Sequence, residues 1–303
     1  MTKKSVTAYN LSKSYGETKA IENISFEVEH AELFGLIGPD GAGKTTIFRI
    51  LTSLILADSG EAILNGLDVV KDFKKIRQII GYMPGRFSLY QDLTVEENLD
   101  FFATVFGTTI EENYDLVKDI YHQIEPFKKR RAGKLSGGMK QKLALSCALI
   151  HKPEILILDE PTTGVDAVSR KEFWDMLKNL KAKGITILVS TPYMDEASLC
   201  DRVALIQKGE IMQIDTPKAI VESYKDDLVS VKSSNIYKLI QDLRAYPDFN
   251  SAFPFGQTVH FTNKSGNINT EELNNYLLQK EHNHIEINKI KPNIEDCFMA
   301  QMK

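Results

Sequence analysis

One stretch of the chain restricts the possible folds more than any other. Residues 33–37 read LFGLI, residues 38–46 read GPDGAGKTT, and a helix-like segment, IFRILTSLI, follows directly. The middle part fits the pattern G-x-x-x-x-G-K-[ST], in which a glycine-rich turn between a strand and a helix surrounds phosphate oxygens with backbone N–H groups. This order predicts an α/β core with a phosphate-binding turn at the end of a buried strand.

Each residue type in the turn suits that chemistry. Glycines allow the backbone shapes that bring successive N–H groups onto one anion. Lys44 is expected to neutralise the β- and γ-phosphates of a nucleotide, and Thr45 to place a hydroxyl on Mg²⁺. The predicted phosphate-binding set is Gly38, Pro39, Asp40, Gly41, Ala42, Gly43, Lys44, Thr45 and Thr46.

A second motif, EILILDEPTTG at residues 154–164, places two acids after four aliphatic residues. Such an aliphatic run is typical of a strand covered on both faces, and open α/β sheets bind ligands at the carboxyl ends of their strands. Asp159 is therefore predicted to hold Mg²⁺, directly or through water. Glu160 is predicted to be the general base for an attacking water.

A third motif, LSGGMKQKLALSCALI at residues 135–150, begins a helix with a serine and two glycines. Ser136 is a natural helix cap, and Gly137 and Gly138 leave backbone amides open to an anion. Alone this motif indicates only a capped helix, but its combination with the first two is specific.

Together the three motifs resemble those of the ATP-binding cassette ATPases, over Tyr9 to about Tyr224. The resemblance implies a P-loop NTPase fold in which two cassettes close over two ATP molecules, each site joining one phosphate loop to the partner's LSGG helix. It implies that Ser136, Gly137 and Gly138 contact the γ-phosphate across the dimer interface. It also implies that Asp166 lies in the loop linking the two sites and that Tyr15 stacks on adenine.

Two positions depart from the family pattern. Pro192, in STPYMDEA, stands where the family has a histidine that contacts the γ-phosphate. Gly85, in GYMPGRF, stands where the family has a glutamine that reaches Mg²⁺ and the water. Gln91 lies past the turn of that loop and is not expected to replace it. These losses predict intact ATP binding with hydrolysis that is either slow or supported by other groups, since a positioned contact is commonly worth about 10²-fold in rate.

The pattern along the chain predicts two domains. Residues 1–224 form the cassette, with a mixed sheet core, an antiparallel β layer at the start and a helical insertion at about 86–133, where Thr94 and Glu97 form a capping box. Residues 225–303 form a small α+β domain, whose ending KPNIEDCFMA is similar to an accessory domain of the exporter branch for drugs and polysaccharides.

Charge and apolar runs limit the partners. The net charge of -4 does not favour nucleic acid. Apolar runs are too short to span a bilayer and no secretion signal is visible, so we expect a cytoplasmic protein held at the inner face of the membrane by a permease. The three cysteines suit free buried thiols, and the six histidines show no metal spacing.

The leading hypothesis is therefore the ATP-hydrolysing subunit of an exporter that uses ATP and Mg²⁺, pairs with a second cassette and drives a separate transmembrane permease. Phe87, Leu89 and Tyr90 are expected to form a groove for a cytosolic helix of that permease. The alternative is a hydrolysis-impaired cassette that clamps ATP beside a complete one. A soluble cassette acting on ribosomes or DNA is disfavoured, because such proteins usually carry two cassettes or long coiled coils.

The run KKRRAGK at residues 128–134 stays open to two interpretations. It is either a solvated face or a positive patch near the partner's nucleotide.

Overall fold

A computed structural model describes residues 3–86 and 88–302. The chain divides into two compact units between Thr216 and Pro217. The sequence places the boundary a little later, after Tyr224; the short helix Pro217–Glu222, which packs with the last helix of the chain, belongs to the second unit.

The first unit contains two sheets and six α-helices among the described residues. Its strands are β1 (Lys4–Tyr15), β2 (Thr18–Glu29), β3 (Leu33–Ile37), β4 (Ser59–Leu64), β5 (Leu67–Asp68), β6 (Ile80–Met83), β7 (Ile155–Asp159), β8 (Thr186–Thr191), β9 (Arg202–Gln207) and β10 (Glu210–Asp215). Its helices are α1 (Lys44–Leu51), α2 (Phe73–Ile79), α3 (Val95–Val105), α4 (Ile110–Tyr121), α5 (Gly137–Leu149) and α6 (Ala167–Ala182). Short 3₁₀ turns cover Glu125–Phe127, Ala132–Lys134 and Met194–Leu199.

The central sheet has the strand order β10-β9-β3-β8-β7-β6. Its inner strands are parallel and only the β9–β10 pair is antiparallel, which confirms the predicted mixed sheet. Every residue of β3, β7 and β8 is buried, as expected for strands covered on both faces. Because these three strands are adjacent and parallel, their carboxyl ends meet at one edge of the sheet.

The predicted antiparallel layer is also present, with the order β2-β1-β4-β5. Alternate residues of β1 and β2 point inward and share one apolar core with α1 and the central sheet. The rings of Phe26 on β2 and Phe34 on β3 stack with their centroids 5.6 Å apart. This contact ties the layer to the strand that leads into the glycine-rich turn.

The predicted helical insertion consists of α3, α4 and the two 3₁₀ turns that precede α5. Thr94 and Glu97 form the expected capping box at the start of α3. A second box, formed by Thr109 and Glu112, opens α4. This second box has the same T-x-x-E spacing as the first.

The second unit is the small α+β domain. Its elements are α7 (Pro217–Glu222), β11 (Val229–Lys232), α8 (Ile236–Arg244), β12 (Phe249–Phe255), β13 (Thr258–Asn263), α9 (Thr270–Gln279), β14 (Glu286–Lys289) and α10 (Ile294–Gln301). The antiparallel sheet has the order β12-β13-β11-β14. Strand β12 contains Pro254 and lies at the edge of this sheet, where a proline is tolerated because one side of the strand needs no hydrogen bonds.

None of the helices built from residues 3–86 and 88–302 is both long and apolar enough to cross a membrane. All three cysteines are free and buried, as predicted.

Candidate functional site

The glycine-rich turn joins β3 to α1 at the carboxyl edge of the central sheet. Gly41 and Gly43 adopt positive φ values of 78° and 104°. A Cβ atom at Gly38 would lie 2.1 Å from the carbonyl oxygen of Ile206, so any side chain there would push β3 and β9 apart. The turn and α1 line a cavity of about 140 Å³, whose walls are Ala20, Gly41, Ala42, Gly43, Lys44, Thr45, Thr46 and Glu160.

Lys44 is buried, with 3% of its side chain exposed. Its ammonium group donates hydrogen bonds to the carbonyl oxygens of Gly38 (2.8 Å) and Pro39 (2.9 Å) and lies 3.2 Å from Oε1 of Glu160. A buried cation needs such acceptors to offset its loss of hydration. The lysine is therefore held inside the turn, beside the carboxylate predicted to be the base.

Asp159, the last residue of β7, is buried and accepts two hydroxyl hydrogen bonds. Thr45 Oγ1 donates to Oδ2 over 2.8 Å, and Ser190 Oγ donates to Oδ1 over 2.7 Å. Ser190 lies opposite Asp159 in the β7–β8 register. The carboxylate is thus oriented by one residue from α1 and one from the neighbouring strand.

Glu160 leaves the strand in a left-handed backbone conformation, with φ of 48°. Its N–H lies 3.1 Å from the carbonyl oxygen of Ser190 and 3.0 Å from Ser190 Oγ. Left-handed geometry is uncommon for a residue with a side chain and is kept only where the surroundings hold it. Here it directs the partly exposed side chain of Glu160 into the cavity.

Behind these acids lies a buried network that the sequence analysis did not identify. Glu196, 1% exposed, accepts hydrogen bonds from Thr191 Oγ1 (2.5 Å) and Thr162 Oγ1 (3.1 Å). Its other oxygen lies 3.8 Å from Nε of Arg170, whose guanidinium group lies over the ring of Tyr193. The network joins the loop after Glu160 to the loop that carries Pro192. The only sequence signal was the pair of hydroxyl residues before Pro192.

The other predicted contacts form a second, separate cluster. Ser136 caps α5 by accepting a hydrogen bond from the N–H of Met139 (3.3 Å), and Asp166 caps α6. A Cβ atom at Gly138 would lie 2.6 Å from Ser169 Oγ, and one at Gly137 would lie 3.3 Å from the carbonyl oxygen of Gly164. The starts of α5 and α6 are therefore packed together, with Ser136 and Asp166 exposed.

Within this single chain, the described walls of the 140 Å³ cavity include none of Ser136, Gly137, Gly138, Asp166 and Tyr15. Tyr15 lies at the end of β1, 47% exposed, and pairs with Thr18 at the turn into β2. Ala20, further along β2, is one of the cavity walls. The roles assigned to these residues stay predictions.

The two departures from the family pattern lie beside the acids. A Cβ atom at Gly85 would be 3.7 Å from Oδ2 of Asp159. Pro192 follows Thr191, whose carbonyl oxygen accepts a hydrogen bond from the N–H of Gly38 (3.3 Å). Gln91 lies against Gly133, whose N–H donates to the carbonyl oxygen of Gln91 (2.9 Å).

Tyr82 on β6 lies close enough to Asp159 to be affected by its charge. Burial, together with the nearby charge of Asp159, raises the pKa of Tyr82 to about 12. The phenol therefore stays neutral at physiological pH and cannot serve as a base. Among the described residues there is no cluster of three or more His, Cys, Asp or Glu side chains that could hold a metal ion.

Comparisons with known proteins agree with this geometry. The family model described as "ABC transporter" matches residues 21–163. The probable multidrug ABC transporter ATP-binding protein YbhF of Escherichia coli is 40% identical over 214 residues, which are 70% of this chain and 37% of YbhF. The Nod factor export ATP-binding protein I of Burkholderia lata is 40% identical over 217 residues, or 71% of each chain.

Among solved structures, the ATP-binding cassette MJ0796, a dimer in a post-hydrolysis state with ADP and Pi bound, superposes with a TM-score of 0.64 and 26% identity. The match covers 70% of this chain and 98% of that one.

A lysine-bearing phosphate loop beside an acid pair, on a parallel sheet, defines a nucleotide-binding α/β protein. The Burkholderia lata relative, which is 40% identical and is matched over 71% of its length, identifies the family more narrowly. The chain belongs to the ATP-binding subunits of ABC transporters. Cassettes of this family bind ATP, form dimers and pair with transmembrane subunits.

Proposed function

We propose that this chain is the ATP-hydrolysing subunit of an exporter, in which closure of a cassette dimer drives a separate permease at the inner face of the membrane. The observation that carries the proposal is that Lys44, Thr45 and Glu160 line one cavity, with Asp159 hydrogen-bonded to Thr45 at its side. The names of the relatives, which refer to multidrug and Nod factor export, support the direction of transport. The chain spans only 37% of YbhF, so the cargo of that protein is not carried over.

ATP would bind with its phosphates in the loop. The N-terminus of α1 has no side-chain cap among the described residues, so its backbone N–H groups are available to phosphate oxygens. Lys44 supplies the positive charge. Tyr15 would stack on the base from the exposed end of β1, and Ser136, Gly137 and Gly138 of a second copy would contact the γ-phosphate.

The residues present also fit Mg²⁺. Thr45 Oγ1 and Asp159 Oδ2 lie 2.8 Å apart, and hydroxyl and carboxylate oxygens are the ligands that Mg²⁺ prefers. Few protein ligands are needed, because Mg²⁺ usually keeps waters and binds substrate phosphates. When bound there, the ion would neutralise the charge of the phosphates.

The protein residues would supply the proton chemistry. In the structure Glu160 pairs with Lys44, 3.2 Å away. A triphosphate competes for the same ammonium group, so its binding would free the Glu160 carboxylate to accept a proton from water. Ser190 holds both acids in place, through the side chain of Asp159 and the backbone N–H of Glu160.

The groove that we propose for the permease lies on the side of the unit that carries the helical insertion. It is a mostly apolar cavity of about 430 Å³, lined by residues of α3 and α5, of β6 and of the segment after it. Leu89 is one of its walls, whereas Tyr90 is exposed and packs edge-on against Phe101. Phe87 lies outside the described residues.

A second candidate is the ATP-clamping cassette without turnover of its own. The observation favouring it is that Gly85 and Pro192 lie beside Asp159 and the phosphate loop and offer no polar side chain to a γ-phosphate or a water. In that case the chain would work beside a second, complete cassette.

The substitution Glu160→Gln tests the proposal. We expect ATP affinity to change little and phosphate release by the purified dimer to fall at least about 10²-fold, the usual contribution of a general base. Glu61→Gln, on an exposed part of β4, is the matched control and should leave turnover unchanged.

The outcomes separate the two candidates. Turnover by the wild type that Glu160→Gln removes supports the hydrolysing subunit. Tight ATP binding without turnover in either protein supports the clamp. Equal, measurable turnover in both would refute the role of Glu160.

A further inference from the structure

The loop before α5, residues 126–134, concentrates positive charge in a chain whose net charge is -4. We call it the basic loop. Lys128 forms an ion pair with Glu96 over 3.4 Å. The other four cations form no direct ion pair with a carboxylate of residues 3–86 or 88–302, although the charge of Arg131 acts on Glu97; they are Lys129, Arg130, Arg131 and Lys134. All four are exposed.

The backbone of the basic loop is held firmly by the segment that precedes α3. The N–H of Val95 donates to the carbonyl oxygen of Arg130 (3.0 Å), and the N–H of Ala132 donates to that of Leu93 (2.8 Å). An isolated β-bridge pairs Thr94 with Arg131. Ala132 is fully buried and anchors the loop. The four cations are therefore presented by an ordered backbone.

Their side chains surround an open cavity of about 440 Å³, together with Pro126 and Phe127. The guanidinium carbon of Arg130 lies 4.5 Å from the centre of the Phe127 ring, which restricts where that side chain can lie. Like charges brought together in this way repel one another, and a bound anion relieves the repulsion.

We propose that the basic loop binds a phosphate-bearing anion at a site separate from the nucleotide turn. Two adjacent arginines favour phosphate, because the planar guanidinium group binds two phosphate oxygens at once. The described walls of this cavity and those of the nucleotide cavity have no residue in common. The anion is either the headgroup of an acidic phospholipid, for which clusters of four or more Lys and Arg are a known signal, or a soluble polyphosphate.

The test uses the full chain saturated with MgADP, so that the nucleotide turn is occupied. The probes are phosphatidylcholine vesicles with and without phosphatidylglycerol, measured by co-sedimentation, and tripolyphosphate, measured by calorimetry, at about 0.1 M salt. The variant is Arg130→Gln/Arg131→Gln. The matched control is Lys171→Gln/Lys178→Gln, which removes the same charge from exposed positions of α6.

We expect the loop variant, and not the control, to weaken binding of at least one probe about tenfold or more, since each cation near an anionic surface adds measurably to attraction. If the loop variant loses binding only to phosphatidylglycerol vesicles, the ligand is a lipid headgroup. If it loses binding only to tripolyphosphate, the ligand is soluble. Equal binding by both variants, or no binding of either probe by the wild type, overturns the proposal. None of these outcomes depends on hydrolysis, so they are independent of the proposed function.

Discussion

Asp159 and Glu160 are neighbours in the chain, yet their surroundings differ sharply. Asp159 is 3% exposed and both of its oxygens accept hydroxyl hydrogen bonds, whereas Glu160 faces a cavity and pairs with a lysine. The left-handed backbone conformation of Glu160 makes its side chain point in a different direction from that of Asp159. One acid is thus suited to holding a fixed position, and the other to exchanging its partner when a ligand arrives.

Gly85 and Pro192 are the two positions where the contacts expected from the family pattern can be tested by substitution. Gly85 does not have a positive φ, so a side chain is allowed there, and its Cβ atom would lie 3.2 Å from the carbonyl oxygen of Asp159, a contact that needs only a small shift. We expect Gly85→Gln/Pro192→His to raise the rate of phosphate release about tenfold or more, because each positioned contact is commonly worth about 10²-fold.

The control for this gain in rate is Gly85→Ala/Pro192→Ala. Like the Gln/His variant, it adds a Cβ atom at position 85 and removes the proline ring at position 192, but it introduces no polar group. A steady-state phosphate-release assay on all three proteins decides the matter. If the Gln/His protein is no faster than the Ala/Ala protein, the two natural residues are not what limits hydrolysis.

At the scale of elements, α5 links the start of α6 to the apolar groove of the first unit. Its first residues pack against the start of α6, and the residues near its end line the apolar groove. His151, just after the helix, stacks on Phe106 of the insertion with 3.8 Å between ring centroids. Its Nε2 lies 2.9 Å from the carbonyl oxygen of Ile80 and donates to it. No described residue pairs with its buried Nδ1.

The burial of His151 is expected to make the stability of the folded protein depend on pH. Burial lowers the pKa of His151, so below the ordinary histidine value of about 6.5 the unfolded chain takes up a proton that the folded chain resists. The stabilisation from neutral His151 is therefore complete above about pH 6.5 and is lost as the pH falls towards the folded pKa.

We expect the stability advantage of wild type over His151→Gln to shrink between about pH 7.5 and pH 5.5, as measured by urea unfolding midpoints. His30 is exposed, so the unfolding midpoint of His30→Gln should equal that of the wild type at both pH values. If the difference in urea unfolding midpoint between wild type and His151→Gln does not vary with pH, His151 does not titrate in this range.

At the scale of the whole molecule, the predicted nucleotide contacts lie in two clusters that one chain does not bring together. A dimer that encloses ATP would join the phosphate loop of one copy to the Ser136 cap of the other. Loss of that serine should then weaken dimer formation as well as the helix. We expect Ser136→Ala to raise the dissociation constant of the ATP-bound dimer roughly tenfold or more, since a hydrogen bond to a charged group is worth about 1.5–3 kcal/mol.

Thr109→Ala is the matched control, because it removes the cap of another helix, at a similar cost in stability of about 1 kcal/mol. Light scattering with ATP, in the Glu160→Gln background to prevent turnover, measures the dimer. If both alanine variants dimerise equally well, Ser136 does not contact the nucleotide of a partner.

Much of the first unit could be predicted because its signals are local. The turn at residues 38–46, the aliphatic strand before Asp159 and the capping box at Thr94 each lie within a few consecutive residues. The network of Glu196, Thr162 and Thr191 could not be predicted, because it depends on the strand order that places β8 between β3 and β7. Strand β12 likewise depends on the sheet order, because only its position at the edge makes Pro254 acceptable.

The burial of all three cysteines has a practical consequence. Cys147, Cys200 and Cys297 are shielded, and burial raises the pKa of each thiol, that of Cys297 to about 11, so none is poised for alkylation. Val168 is 70% exposed and lies two positions after Asp166, so Val168→Cys would introduce the one readily labelled thiol of the native protein. A spin label or fluorophore attached there could follow the approach of two copies in real time, without first removing any natural thiol.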